Sequence, residues 1–197
     1  MSYRSLRRPG LSPIWILIGV NIAIFIATFI DRQNLIFARF ALVPSDLSHE
    51  PWTLLTYMFL HSGLWHVLFN MIALYFLGTF TIYLIGETAF LVTYFVGGIM
   101  GGLLFVALSP LLGTSYAAVV GASGAIFALG GLLMVMRPNL KVMMFPIPIE
   151  MPLWVSILIS FVLVVFNGSI AWEAHLGGLI LGAVVGYYYR RREFRRY

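Results

Sequence analysis

The sequence predicts an all-α membrane protein, a bundle of six transmembrane helices. Three observations predict this fold class. Of the 197 residues, 61% are hydrophobic and only 10% are charged. The mean hydropathy is +0.96. The apolar residues also fall into separate runs that are long enough for helices. Because little of the chain lies outside these runs, we expect residues 1–197 to form a single membrane-embedded domain with short tails.

The breaks between the apolar runs define the predicted elements in chain order. The expected spans are Pro13–Ile30, Leu64–Ile85, 90–108, Ser123–Met136, Leu153–Phe166 and 173–189. A loop at 33–53 mixes aromatic and charged residues, which is typical of a segment lying in the membrane interface. The other connections are a tight turn at 86–88, a loop at 109–120, a Met- and Pro-rich link after Lys141, and a turn at 167–172.

The basic residues indicate how the chain is oriented in the membrane. Of the 12 lysines and arginines, only Arg32 and Arg39 lie on the side opposite to the two tails and the link after the fourth span. The positive-inside rule therefore predicts an integral protein of the plasma (inner) membrane with both termini in the cytoplasm. The positive charge is explained by topology and by contact with membrane lipids. We expect no nucleic acid partner.

Polar residues occur near the outer ends of three predicted spans. Ser123 opens the fourth span between Gly121 and Gly124, while His66 and Asn70 lie four residues apart on one face of the second. His175 lies near the start of the sixth span. The second, fourth and sixth spans all run from outside to inside. Their polar groups are therefore expected to share one level and to form a site that opens to the outer side.

Small residues predict how the fourth and sixth spans approach each other. The sixth span has a stripe of small residues at four-residue spacing, formed by Ala174, Gly178, Gly182 and Gly186. The fourth span has a matching set, Gly124, Ala128 and Gly131. Such stripes allow two helix backbones to pack closely. We therefore expect the two spans to pack together and to bring Ser123 near His175.

These residue types favour acyl-transfer chemistry. A serine hydroxyl becomes an effective nucleophile when a histidine accepts its proton, and Ser123 with His175 supplies that pair. No carboxylate lies deep in a span to orient the imidazole, so a dyad is expected, with Phe127 stacking on His175. His66, Asn70 and the Ser123 backbone N–H are candidate donors for an oxyanion hole. The sequence has no cysteine and no HExxH motif, and we expect neither a metal nor a cofactor.

With these motifs in this order, the chain resembles the rhomboid intramembrane serine proteases of the minimal six-helix type. The motifs are His61-x4-His66-x3-Asn70, Gly121-x-Ser123-Gly124, and Ala174-His175-x2-Gly178-x3-Gly182. The resemblance implies cleavage of peptide bonds in or beside transmembrane helices of protein substrates. It implies Ser123 as nucleophile, His175 as general base, and His66 with Asn70 in the oxyanion hole.

Two residues depart from the family pattern, and two other classes of function stay open. Thr53 follows Trp52 where arginine is frequent, and Phe127 stands where tyrosine is frequent. One alternative is a catalytically inactive rhomboid-like protein that binds membrane clients. The other is a small transporter or channel that uses the same histidines as a polar pathway. No polar residue continues from the expected site toward the cytoplasm, which favours the enzyme over the channel.

Overall fold

The structure is a computed structural model that describes residues 12–144, 147–166 and 171–194. Within these ranges the chain forms α-helices and one antiparallel β-hairpin. The helices are α1 (Pro13–Ile30), α2 (Leu35–Phe40), α3 (Thr53–Thr56), α4 (Leu64–Ile85), α5 (Glu87–Leu112), α6 (Ser123–Met136), α7 (Leu153–Phe166) and α8 (Trp172–Phe194), and the strands are β1 (Lys141–Met144) and β2 (Ile147–Pro152). The predicted tail at 1–10 and most of the turn at 167–172 lie outside the described residues.

The protein is a helical membrane bundle. Among the described helices, α1, α4 and α5 are long and apolar enough to cross a membrane, whereas α6 and α7 are apolar but only 14 residues long. The bounds of α1, α4, α6 and α7 are those that the sequence predicts. That six helices cross the membrane stays a prediction.

Glycines allow the helices at the centre of the bundle to pack closely. Gly178 and Gly182 of α8 have no room for side chains, because the carbonyl oxygens of Gly124 and Ala128 on α6 occupy that space. A side chain at Gly97 of α5 would likewise overlap the Ala128 side chain. In this central position, most residues of α6 are buried. The predicted packing of the fourth span on the sixth is confirmed, and it continues where Gly131 meets the Leu179 carbonyl and Gly186 meets Leu132.

The helices α4, α6 and α8 run in the same direction. At one end of the bundle, His66 of α4 lies against Gly121, and the carbonyl of Ala174 on α8 lies against Gly124. At the other end, Arg137 after α6 forms a two-bond ion pair with Glu193 of α8, with both distances 2.9 Å. The starts of these three helices therefore meet, as the sequence analysis predicted.

The expected bounds of α5 were too short at both ends. Gly86 alone makes the turn, with a φ of +88° that favours glycine, and Glu87 and Thr88 already belong to the helix. At the other end, Pro110 does not stop the helix at 108. Proline cannot donate to the carbonyl of Val106, but the Ser109 hydroxyl donates to that oxygen at 2.8 Å. The helix therefore continues to Leu112.

The link between α6 and α7 is a β-hairpin, which the all-α prediction missed. Val142 pairs with Met151 and Met143 with Glu150. This link is rich in proline, but a two-stranded hairpin consists of edge strands, and these tolerate proline. Helix α8 also extends five residues beyond the predicted end at 189, since its arginines are good helix formers and carry the helix past the apolar span.

The segment between α1 and α4 is anchored by specific contacts. Trp52 Nε1 donates to the Arg39 carbonyl at 2.9 Å, and the Arg39 guanidinium pairs with Glu50 at 2.7 Å. Arg39 thus contributes a basic anchor near Trp52 although Thr53 follows the tryptophan. Thr53 is itself buried and donates to the Glu50 carbonyl at 2.7 Å.

Candidate active site

Ser123 is the first residue of α6, and the glycine before it shapes its surroundings. Gly121 has a φ of +129°, a conformation that residues with side chains rarely adopt. A Cβ at Gly121 would lie 2.8 Å from His66 Nε2 and 3.4 Å from Ser123 Oγ. Because Gly121 has no side chain, the Ser123 hydroxyl and the His66 imidazole can both lie close to this position.

The backbone at this helix start supplies further donors. Helix α6 begins after Ala122 without a side-chain cap. The first N–H groups of a helix have no partner within it, so they point outward with partial positive charge. The Ser123 N–H is one of these groups. It lies at the same helix start as the Ser123 hydroxyl.

His175 lies in the first turn of α8 and is buried. Its Nδ1 lies 2.8 Å from the carbonyl oxygen of Ala171. A carbonyl oxygen only accepts hydrogen bonds, so Nδ1–H must be the donor. In neutral imidazole this leaves the lone pair on Nε2, which is the state that a general base requires.

Phe127, one turn after Ser123, contacts the His175 ring. The two ring centroids are 4.9 Å apart at an interplanar angle of 83°. The contact that the sequence analysis expected is present, but it is edge-to-face rather than stacked, an arrangement that aromatic quadrupoles favour. The Phe127 ring thus helps to fix the orientation of the imidazole.

The structure brings Ser123 and His175 to the same end of the α6–α8 pair, but it does not join them directly. Among the described residues, no hydrogen bond links Ser123 to His175 or Glu173 to His175. Catalytic hydrogen bonds often tighten only when substrate binds. The close packing of Gly178 on Gly124 sets the separation of the two helices that carry the predicted dyad.

His66 and Asn70 lie on the α4 face that is turned toward α6. The Asn70 amide is buried and donates to the His66 carbonyl at 3.0 Å, within its own helix. An amide nitrogen carries two hydrogens, so this bond leaves one for another acceptor. Of the two predicted oxyanion donors on α4, His66 is in close contact with Gly121.

Two residues near the site were not expected from the sequence to take part in catalysis. Tyr57 is buried, donates through its hydroxyl to the Gly98 carbonyl at 2.7 Å, and accepts the Gly121 N–H at 2.9 Å with its own carbonyl. It therefore connects α5 to the loop before Ser123. Nothing in its sequence neighbourhood marked it, because both bonds span long stretches of chain.

The second residue is His61, which belongs to the motif spacing and was considered only for the polar pathway of the channel alternative. His61 is 1% exposed, and its ring lies edge-on to His66 with centroids 5.0 Å apart. Burial lowers the pKa of His61 to about 4, with a smaller contribution from the neighbouring His66. His61 is therefore neutral at physiological pH.

The described residues include no group of three or more His, Cys, Asp or Glu side chains that could hold a metal ion. The polar groups that the site contains are a hydroxyl, imidazoles, an amide and backbone N–H groups. These are the components of acyl transfer.

The chain is similar to known proteins over most of its length. A family model described as the Rhomboid domain matches residues 48–192. The chain is 28% identical over 188 residues to Rhomboid protein 1, mitochondrial, of Saccharomyces cerevisiae, which covers 89% of this chain and 52% of the yeast protein. It is 38% identical over 134 residues to Rhomboid protease GluP of Bacillus subtilis, covering 68% of this chain and 25% of that protein.

A third relative is named as an inactive member of the family. Inactive RHOMBOID-like protein 8 of Arabidopsis thaliana is 40% identical over 84 residues, or 41% of this chain and 24% of the plant protein. The chain spans about half of the yeast relative and about a quarter of the other two.

Proposed function

The chain belongs to the rhomboid family, and from this membership we propose that it is an intramembrane serine endopeptidase. Its substrates would be membrane proteins that are cleaved in or beside a transmembrane helix. The observation that carries the proposal is the close approach of two polar side chains at Gly121. The Ser123 hydroxyl and the His66 imidazole both lie within 3.4 Å of the point that a Gly121 side chain would occupy.

In the proposed mechanism, His175 Nε2 removes the proton from Ser123 as Oγ attacks the scissile carbonyl carbon. The tetrahedral intermediate carries a negative oxygen, which accepts hydrogen bonds from His66, the Asn70 amide and the Ser123 N–H. The His175 imidazolium then protonates the leaving amine. Water, with His175 again as the base, hydrolyses the acyl-enzyme. Gly121, Gly124, Gly178 and Gly182 support the site by allowing these close approaches, and Phe127 orients the base. The mechanism needs no metal and no cofactor.

We also propose the orientation that the charges predict. Both termini would lie in the cytoplasm, and the shared starts of α4, α6 and α8 would lie toward the outer side of the plasma or inner membrane. Substrate helices would then reach the site from the lipid phase, and the peptide bond would meet water on the outer side.

A fluorophosphonate probe tests the reaction without knowledge of the natural substrate. We expect the purified protein to be labelled and to cleave a fluorescently labelled single-span membrane protein. Ser123→Ala should lose both activities and keep its melting temperature in detergent, and EDTA should have no effect. If Ser123→Ala still cleaved the substrate, the serine mechanism would be wrong. A folded wild-type protein that is neither labelled nor active would instead support an inactive, client-binding rhomboid.

A further inference from the structure

Ser62 lies two residues before α4 and makes two contacts with the same ring nitrogen of His66. The Ser62 backbone nitrogen lies 3.4 Å from His66 Nδ1, and the Ser62 hydroxyl oxygen lies 3.1 Å from it. The Ser62 side chain is exposed. It packs into no core, so a stabilising role in the interior does not explain these contacts.

The chemistry of these two groups decides the tautomer of His66. A backbone N–H can only donate, so Nδ1 must be an acceptor and cannot carry a proton. The hydroxyl can rotate to donate to the same nitrogen. A neutral imidazole has one N–H group, which must then be on Nε2. This is opposite to His175, whose Nδ1–H donates to the Ala171 carbonyl.

The protonated nitrogen lies beside Gly121, close to Ser123. His66 Nε2 lies 2.8 Å from the point where a Gly121 Cβ would be, and Ser123 Oγ lies 3.4 Å from that point. The buried ring of His61 lies edge-on to His66 at 5.0 Å and limits its rotation. If the ring of His66 flipped, Nδ1 would leave both Ser62 donors.

We propose that Ser62 is a positioning residue that holds His66 in the Nε2–H tautomer, so that a hydrogen-bond donor faces the oxyanion. This inference rests on the proposed function, because a donor at Nε2 matters when an oxyanion forms beside Gly121. In the Nδ1–H tautomer, the bare Nε2 would repel a negative oxygen instead. In histidine side chains generally, the hydrogen bond made by one ring nitrogen decides whether the other nitrogen carries the proton.

Nuclear magnetic resonance of the full chain with ¹⁵N-labelled histidine tests the tautomer directly. The sequence has four histidines, so His66→Asn identifies the His66 signals by their loss. We expect a protonated Nε2 and a bare Nδ1 in the wild-type protein. A protonated Nδ1 would overturn the inference whether or not the protein is a protease. The expected tautomer in a protein without proteolysis would count against the proposed function and not against this assignment.

Enzyme kinetics test whether the tautomer matters. Ser62→Ala removes one of the two donors, so kcat should fall about threefold to tenfold with KM unchanged, and the share of Nδ1–H tautomer should rise. Ser62→Thr keeps the hydroxyl and should restore both readouts. Ser48→Ala is the matched control, because that exposed serine contacts the Nδ1 of His49 at 3.1 Å. Equal losses in Ser62→Ala and Ser62→Thr, or an unchanged kcat in Ser62→Ala, would refute the proposal.

Discussion

Gly178→Val tests whether the spacing of α6 and α8 controls the dyad. A Cβ at Gly178 would overlap the carbonyl oxygen of Gly124. It would also lie 2.9 Å from the Gly124 carbonyl carbon and 3.4 Å from the Ala128 nitrogen. Ordinary contacts between heavy atoms are about 3.5–4.0 Å long. All three atoms belong to backbone and cannot rotate away, so the helices must separate by about 1 Å or more to reach ordinary contact distances.

The consequence for activity is large, because His175 is on α8 and Ser123 is on α6. A displacement of about 1 Å between reacting groups can reduce the rate about a hundredfold. Overpacking of this kind costs about 1–3 kcal/mol of stability, so the variant should still fold. We expect Gly178→Val to lose about a hundredfold in turnover. Gly178→Ala adds the same overlapping Cβ and should therefore also lose activity, although by no more than Gly178→Val, which adds two further carbons.

The assay compares fluorophosphonate labelling and cleavage of a labelled single-span membrane protein with melting temperatures in detergent. Gly19→Val is the matched control, because no atom lies within 4 Å of a Cβ at Gly19 in α1. Val184→Leu on α8 is a second control, since that side chain is 62% exposed. Both controls should keep full activity. Wild-type turnover in a folded Gly178→Val protein would refute the claim that this contact aligns the dyad.

Three further predictions follow from other parts of the molecule. Cysteines introduced at Ser2 and Ser48 should react with an impermeant reagent from opposite sides of the membrane, and reaction of both from one side would contradict the proposed topology. Burial holds the pKa of His61 at about 4 in the folded protein, below its ordinary value of 6.5. The neutral form of His61 therefore supports stability fully above pH 6.5, and this contribution declines as pH falls toward 4. His61→Gln should remove up to about 3 kcal/mol of this dependence of stability on pH. The measurement is the loss of unfolding free energy between pH 7.5 and 4.5, and an equal loss in the wild type and in His61→Gln would contradict the prediction. Tyr57→Phe removes the hydrogen bond to Gly98 and should lower the free energy of unfolding by about 1 kcal/mol. Denaturation in detergent measures this change, and an unchanged stability would disprove the prediction.

The sequence alone was sufficient for the helices whose ends coincide with the ends of apolar runs. A membrane core excludes unpaired backbone and charge, so Asp31, Gly86 and Arg137 mark helix ends that composition reveals. The four-residue spacing of Gly178 and Gly182 likewise predicted the packing on α6, because small residues on one helix face have few other uses. The family followed from motifs that are local in the chain.

Only the tertiary structure decided the contacts between distant segments. No local pattern distinguishes the hydroxyl of Ser109, which compensates for Pro110, from any other serine. The tautomers of His66 and His175 depend on which atom lies opposite each Nδ1, a backbone N–H in one case and a carbonyl in the other. Hydropathy is a property of each residue along the chain, whereas hydrogen-bond direction is a property of two atoms in space, and only the folded structure supplies the second atom.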